Sequence, residues 1–195
     1  MFLIIGLGNP TEKHSQDRHN AGFWLCDLLA NQYQASFKSE HRFRGELAKF
    51  KIEQHDIYLL KPHTYMNLSG ESVGQLIRFL QIKPTQILVA HDELDLSPGT
   101  MRLKFGGGTG GHNGLKSIHA HIGTSDYLRL RIGIGHPRDR VEKGSPHQEV
   151  ASYVLKRPPA DEMVLIEKGF DKFIHVLPKI LKNDISEAMK ELHTL

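Results

Sequence analysis

Phe2-Leu3-Ile4-Ile5-Gly6-Leu7-Gly8-Asn9-Pro10 opens the chain with a short apolar run that breaks at a Gly-, Asn- and Pro-rich exit. A run of this length and residue type predicts a buried strand, and the exit predicts a sharp turn at its carboxyl end. The pattern recurs twice. Ile57–Leu60 leads into His63, Thr64 and Asn67, and Ile87–Ala90 leads into His91, Asp92 and Glu93. Helical spacing lies between these runs. Ala21–Tyr33 carries Phe23, Trp24, Leu28 and Leu29, with Asn20 placed to cap it. Ser69–Ile82 carries Val73, Leu76, Ile77 and Leu80, and Pro84 ends it. Strands alternating with helices predict a single α/β domain over 1–195, with a mixed, mostly parallel, twisted sheet flanked by helices.

The rest of the chain fits this plan. Glu46–Ile52 pairs with Ile57–Leu60 through a turn expected at Gln54-His55-Asp56. Met101–Phe105 and Leu128–Ile134 alternate apolar residues with charged or small ones, as half-buried strands do. A helix is expected over His112–His121, and the tail after Pro159 is helical. Pro137–Gln148 is polar and charged, and is read with its neighbours to residue 150 as a mobile loop.

Composition narrows the class. The chain has 195 residues, enough to bury a core without staples. A single cysteine, Cys26, excludes an internal disulfide and a Cys-rich zinc site, and sits on an expected core helix. No apolar run approaches the ~20 residues of a membrane span. Met1–Leu7 lacks the basic flank and cleavage site of a secretory leader. A cytoplasmic protein is expected.

Charge is unevenly placed. The net formal charge is +3, yet residues 102–143 hold eight Lys and Arg against three acids. Ten of the 18 glycines fall between Gly99 and Gly135. A basic, glycine-rich third on a near-neutral chain points to an anionic partner met by one face, although a solvated basic surface has the same composition.

In open α/β sheets, ligands bind beyond the carboxyl ends of the strands. If the three runs are parallel neighbours, Asn9, Asn67 and Asp92 meet on one rim. The glycine loop after Phe105 then delivers His112 and Asn113 there, and His19 hangs over it from the first loop. Asparagine both donates and accepts, which suits amide or ester groups. Taken singly, each of these residues has an ordinary turn or cap role; together at strand exits they suggest a site. A His held by an Asp deprotonates water near neutral pH.

Other motifs are weaker. Gly106-Gly107-Gly108-Thr109-Gly110-Gly111 formally matches a dinucleotide fingerprint, but five glycines in six match many patterns, and Asp126 precedes its strand. Lys116-Ser117 has Leu115 where a phosphate loop needs glycine. His119-x-His121 has no His-Glu-x-x-His or cysteine partner and reads as two surface histidines. An RNA-binding module without turnover and a dinucleotide oxidoreductase are the competing readings.

Six stretches in order carry a resemblance. They are Gly6–Pro10, Arg18-His-Asn-Ala-Gly22, Lys61-Pro-His-Thr-Tyr-Met-Asn-Leu-Ser-Gly70, His91-Asp-Glu-Leu-Asp-Leu96, Gly106–Leu115 and Arg131-Ile-Gly-Ile-Gly-His-Pro137. Together they resemble bacterial peptidyl-tRNA hydrolase over about residues 1–160. The resemblance implies an esterase that cleaves peptide from the 3′ ribose of tRNA, as a monomer without metal or cofactor. It implies that His19 is the base and Asp92 its partner. Asn9 would hold the scissile carbonyl, and Asn67 and Asn113 the peptide main chain and water. Met66 would line the peptide groove. Lys104 and Arg131, with Arg102 nearby, would clamp the 5′ phosphate. Thr11, His14 and Ser97 depart from the family pattern, and His14 stands where a substrate-contacting Tyr is common.

Overall fold

In the computed structural model, which describes residues 1–140 and 149–194, seven strands form one sheet. They are β1 (Phe2–Gly6), β2 (Lys38–Glu40), β3 (Gly45–Ile52), β4 (His55–Pro62), β5 (Ile87–Glu93), β6 (Met101–Phe105) and β7 (Leu128–Gly133). The order is β2-β3-β4-β1-β5-β7-β6. The four central strands, β4, β1, β5 and β7, run parallel. Both edges turn antiparallel, through β3 and β2 on one side and β6 on the other. The exits of β1, β4 and β5 therefore lie side by side, as the polar punctuation after each run requires.

Helices cover both faces. On one side lie α1 (Ala21–Gln32), α5 (Ala160–Leu181) and α6 (Ile185–Thr194), packed with Leu25, Leu29, Phe170, Phe173 and Leu192 on the even-numbered residues of β5. On the other lie α2 (Ser69–Leu80) and α3 (Asn113–Ile122), where Val73, Leu76, Leu115 and Ile118 meet Leu3, Ile5, Ile87 and Val89. All five residues of β1 are buried, which is why its sequence is continuously apolar rather than alternating. A short α4 (Val150–Val154) precedes α5.

Two local expectations change. The β3–β4 turn is Glu53–Gln54, with Glu53 left-handed at φ 50°; His55 and Asp56 already pair with Ile52 and Lys51. Asn20 stands before α1 but makes no cap hydrogen bond. Its side chain serves the rim instead. Of the loop expected over Pro137–Gln148, Pro137–Arg140 forms a 3-10 turn, and 141–148 lie outside the described residues.

Close backbone contact sets the entry of α1. A Cβ on Gly6 would lie 2.2 Å from the carbonyl oxygen of Gly22. One on Gly22 would lie 2.3 Å from the amide nitrogen of Leu7 and 2.4 Å from the carbonyl oxygen of Ala90. Only glycine lets the first turn of α1 rest on the exits of β1 and β5. That contact brings the residues just before α1 onto the rim.

Candidate active site

Three consecutive side chains ahead of α1 each reach a different element. Arg18 donates to the carbonyl oxygen of Lys156, pairs with Glu162 at 3.3 Å and stacks over Tyr153 with 4.1 Å to the ring centroid. Asn20 accepts from the N–H of Asn9 at 2.9 Å and donates to the Asn9 carbonyl at 3.0 Å. Between them, His19 presents Nδ1 to both oxygens of Asp92 at 2.9 Å. The histidine is thus fixed from both sides by neighbours whose side chains are held elsewhere.

Asp92 takes a second imidazole. Its Oδ1 accepts from Nε2 of His112 at 2.8 Å, while Nδ1 of His112 accepts the Gly114 N–H. Those two bonds fix His112 as its Nε2–H tautomer. His91 donates from Nδ1 to the Asp92 carbonyl at 2.8 Å. Burial and the neighbouring His112 push the His91 pKa down to about 3, so this ring is neutral.

The electrostatics of the central pair follow. Burial opposes protonation of His19, but the Asp92 carboxylate outweighs it, with a smaller contribution from Asp17, and the pKa lies above the ordinary imidazole value. Burial alone would raise Asp92. The two histidines hold it well below the usual carboxylate range, so it is ionised. With Nδ1–H donating to Asp92, Nε2 of His19 is left as a basic lone pair. His19, His112 and Asn113 line a cavity of about 430 Å³, walled also by Gly110, His136 and Val154. The ligand atoms of His19, Asp92 and His112 lie within 4.8 Å of one another, a grouping that also suits a cation. Their separations of 2.8–2.9 Å are those of imidazole donors on a carboxylate.

The asparagines are placed differently. Asn9 is 8% exposed, and its Oδ1 accepts the Met66 N–H at 2.8 Å. The Met66 amide needs an acceptor, so oxygen faces it and Nδ2 is the outward donor. Asn9 lines not the large cavity but a second hollow of about 250 Å³, with Phe23, Trp24 and Lys61. Asn67 is exposed on the 3-10 turn Met66–Leu68 that follows β4, and lines neither. The Met66 side chain is buried against α3, close to Gly114. His14 stands outside the cavity, with Nδ1 2.6 Å from Asp17.

The cations gather on one face of β6 and β7. Arg102 opposes Arg131 and Lys104 opposes Arg129 across the ladder. Arg129 is buried and donates to the carbonyls of Gly106, Gly107 and Gly108. Lys104 and Arg131 line a pocket of about 190 Å³ that shares His91, Glu93 and Gly110 with the large cavity. Arg102 is not in that pocket; from the edge strand it reaches the end of α6, donating to the His193 carbonyl at 2.9 Å. The glycine loop is no dinucleotide fingerprint, because the carbonyls of Gly106–Gly108 are held by an arginine and the loop leaves an antiparallel edge strand. Gly106, Gly107, Gly110 and Gly111 are left-handed, which explains the run of glycines. His119 is half-buried edge-on against Tyr127, and His121 bonds the Ser117 carbonyl.

The model of the peptidyl-tRNA hydrolase family matches residues 3–195. The chain belongs to the peptidyl-tRNA hydrolase family. It is accordingly a hydrolase acting on the ester bond of peptidyl-tRNA. It is 58% identical to the peptidyl-tRNA hydrolase of Polynucleobacter asymbioticus over 98% of this chain and 97% of that protein. The peptidyl-tRNA hydrolase of Polynucleobacter necessarius is 57% identical over the same shares. The crystal structure of peptidyl-tRNA hydrolase from Acinetobacter baumannii superposes with a TM-score of 0.90 at 44% identity, covering 99% of this chain and 94% of that one. Among the described residues, no helix is long and apolar enough to cross a membrane.

Four residues of this hydrolase site were not assigned from sequence. His112 was expected at the rim but without a task, and Arg129 counted only as charge. Arg18 carries no role beyond its place in the Arg18–Gly22 stretch, and Asn20 is read only as a helix cap.

Proposed function

We propose that His19 is the general base for hydrolysis of the peptidyl-tRNA ester. The observation that carries this reading is the Asp92 carboxylate on Nδ1 of His19 in the wall of the large cavity. Nε2 takes a proton from water as the water oxygen bonds to the ester carbonyl carbon. The tetrahedral intermediate then collapses, the bond to the ribose 3′ oxygen breaks, and His19 returns the proton to that oxygen. Asp92 holds the tautomer and stabilises the imidazolium.

The Nδ2 donor of Asn9 suits the developing oxyanion. Asn113, in the cavity wall, and Asn67, on the next turn, suit the peptide main chain and the attacking water. Met66 acts from below, by holding Asn9. His14 acts through Asp17 rather than by touching substrate. Lys104 and Arg131 suit the 5′ phosphate of the tRNA, while Arg102 supports the C-terminal helix beside them. The reading uses no metal or cofactor and needs one copy of the chain.

Purified protein and its His19→Ala variant, assayed side by side on peptidyl-tRNA, test the assignment. The variant is expected to lose on the order of 10²–10⁴ in rate with an unchanged melting temperature. Full activity in the variant would remove His19 from the mechanism. Salt-dependent tRNA binding without turnover by the wild type would favour a binding module instead.

A further inference from the structure

A carboxylate stands inside the pocket assigned to phosphate. Glu93 is the last residue of β5, and its side chain shares the wall with Lys104, Arg129 and Arg131. Both of its oxygens are engaged. Oε2 accepts from Nε of Arg131 at 2.9 Å, and Oε1 accepts from the Asp95 N–H at 3.2 Å. Burial acts to raise the Glu93 carboxyl, but Arg131 and the Asp95 amide hold it below its ordinary range.

The contact on Arg131 is selective. It takes Nε and leaves both terminal nitrogens without a hydrogen-bond partner among the described residues. Nζ of Lys104 is likewise unpartnered there. An arginine held at Nε keeps two parallel N–H donors at its far end, the arrangement that meets two phosphate oxygens at once. A carboxylate beside an anion costs electrostatic repulsion. Its presence needs a return that charge alone does not supply, and fixing the guanidinium supplies one.

We propose that Glu93 is a positioning residue for this pocket, turning the Arg131 fork toward a bound phosphomonoester. The inference rests on the reading above that the pocket receives the 5′ phosphate of tRNA. Glu93 takes no part in ester cleavage.

The test compares peptidyl-tRNA carrying a 5′ phosphate with the same RNA after dephosphorylation. kcat and KM are measured for wild type, Glu93→Ala and Glu93→Gln. Wild type is expected to show the lower KM on the phosphorylated substrate. Glu93→Ala should raise that KM by roughly tenfold, the scale of one charge-assisted hydrogen bond. The KM difference between the two substrates should shrink by about the same factor. Glu93→Gln keeps an acceptor for Nε and should restore most of the loss.

Equal rises in KM on both substrates, or a fall in kcat on both, would overturn the proposal and leave Glu93 as a support of β5. A Glu93→Gln variant no better than Glu93→Ala would overturn the orientation argument. Wild-type KM values that match on the two substrates would overturn the phosphate reading itself, and Glu93 with it. Melting temperatures for both variants separate misfolding from these outcomes.

Discussion

Nε2 of His112 lies 2.8 Å from Oδ1 of Asp92, the same oxygen that faces His19. Two imidazoles therefore compete for one buried carboxylate. Removing one gives the other more of its charge. His112→Ala is expected to raise the His19 pKa further and move the acid limb of kcat/KM to higher pH. A pH–rate profile reads this directly, and an unmoved limb would mean that His112 does not temper Asp92.

Asp92→Asn has the opposite sign. His19 titrates above its ordinary value because the carboxylate outweighs burial. Without that charge, burial remains and favours the neutral ring. The acid limb should therefore shift to lower pH while the maximal rate falls, since the imidazolium loses its partner. A limb that moves upward would contradict the assignment of His19.

Asn9→Asp separates donor from acceptor. A carboxylate oxygen can still accept the Met66 N–H, so the turn is kept. The outward donor is replaced by a charged acceptor that repels an oxyanion. kcat should fall by about 10²–10³ with little change in thermal stability. Near-normal kcat would place the oxyanion elsewhere.

Gly22→Ala tests the seating of α1. The added methyl would meet the Leu7 nitrogen and the Ala90 carbonyl at distances no Cβ tolerates. Denaturant unfolding should show a loss of about 1–3 kcal/mol or more. Activity should fall with it, because His19 lies three residues upstream. Unchanged stability would mean that α1 can shift without cost.

The central strands and their helices were legible because burial imposes a period, and a period survives in sequence. That the exits of β1 and β5 are neighbours was legible from their polar punctuation, although Asn9 and Asp92 line different hollows. The hairpin turn was not, since Glu53-Gln54 lacks an Asn-Gly signature and the eight-residue β3–β4 ladder sets the register whatever the turn contains. Arg18 and Asn20 hid their tasks for a different reason. Glu162 is distant in the chain from Arg18, and Asn20 meets Asn9 by paired hydrogen bonds across a loop, neither of which leaves a period in the sequence. His14 shows the limit of resemblance: the family contact is expected at that position, yet here its ring turns to Asp17.

Strand β5 faces two ways at consecutive residues. Asp92 bonds His19 and His112, while His91 and Glu93 on either side of it wall the cationic pocket as well as the large cavity. The strand is therefore a caliper whose two jaws cannot be set separately. Sliding it by one residue would reverse both jaws together, whereas lengthening a surface loop would leave their gap unchanged. An inhibitor that spans from His19 to Arg131 would be measured against a fixed length, and linker length should govern its affinity more sharply than linker chemistry.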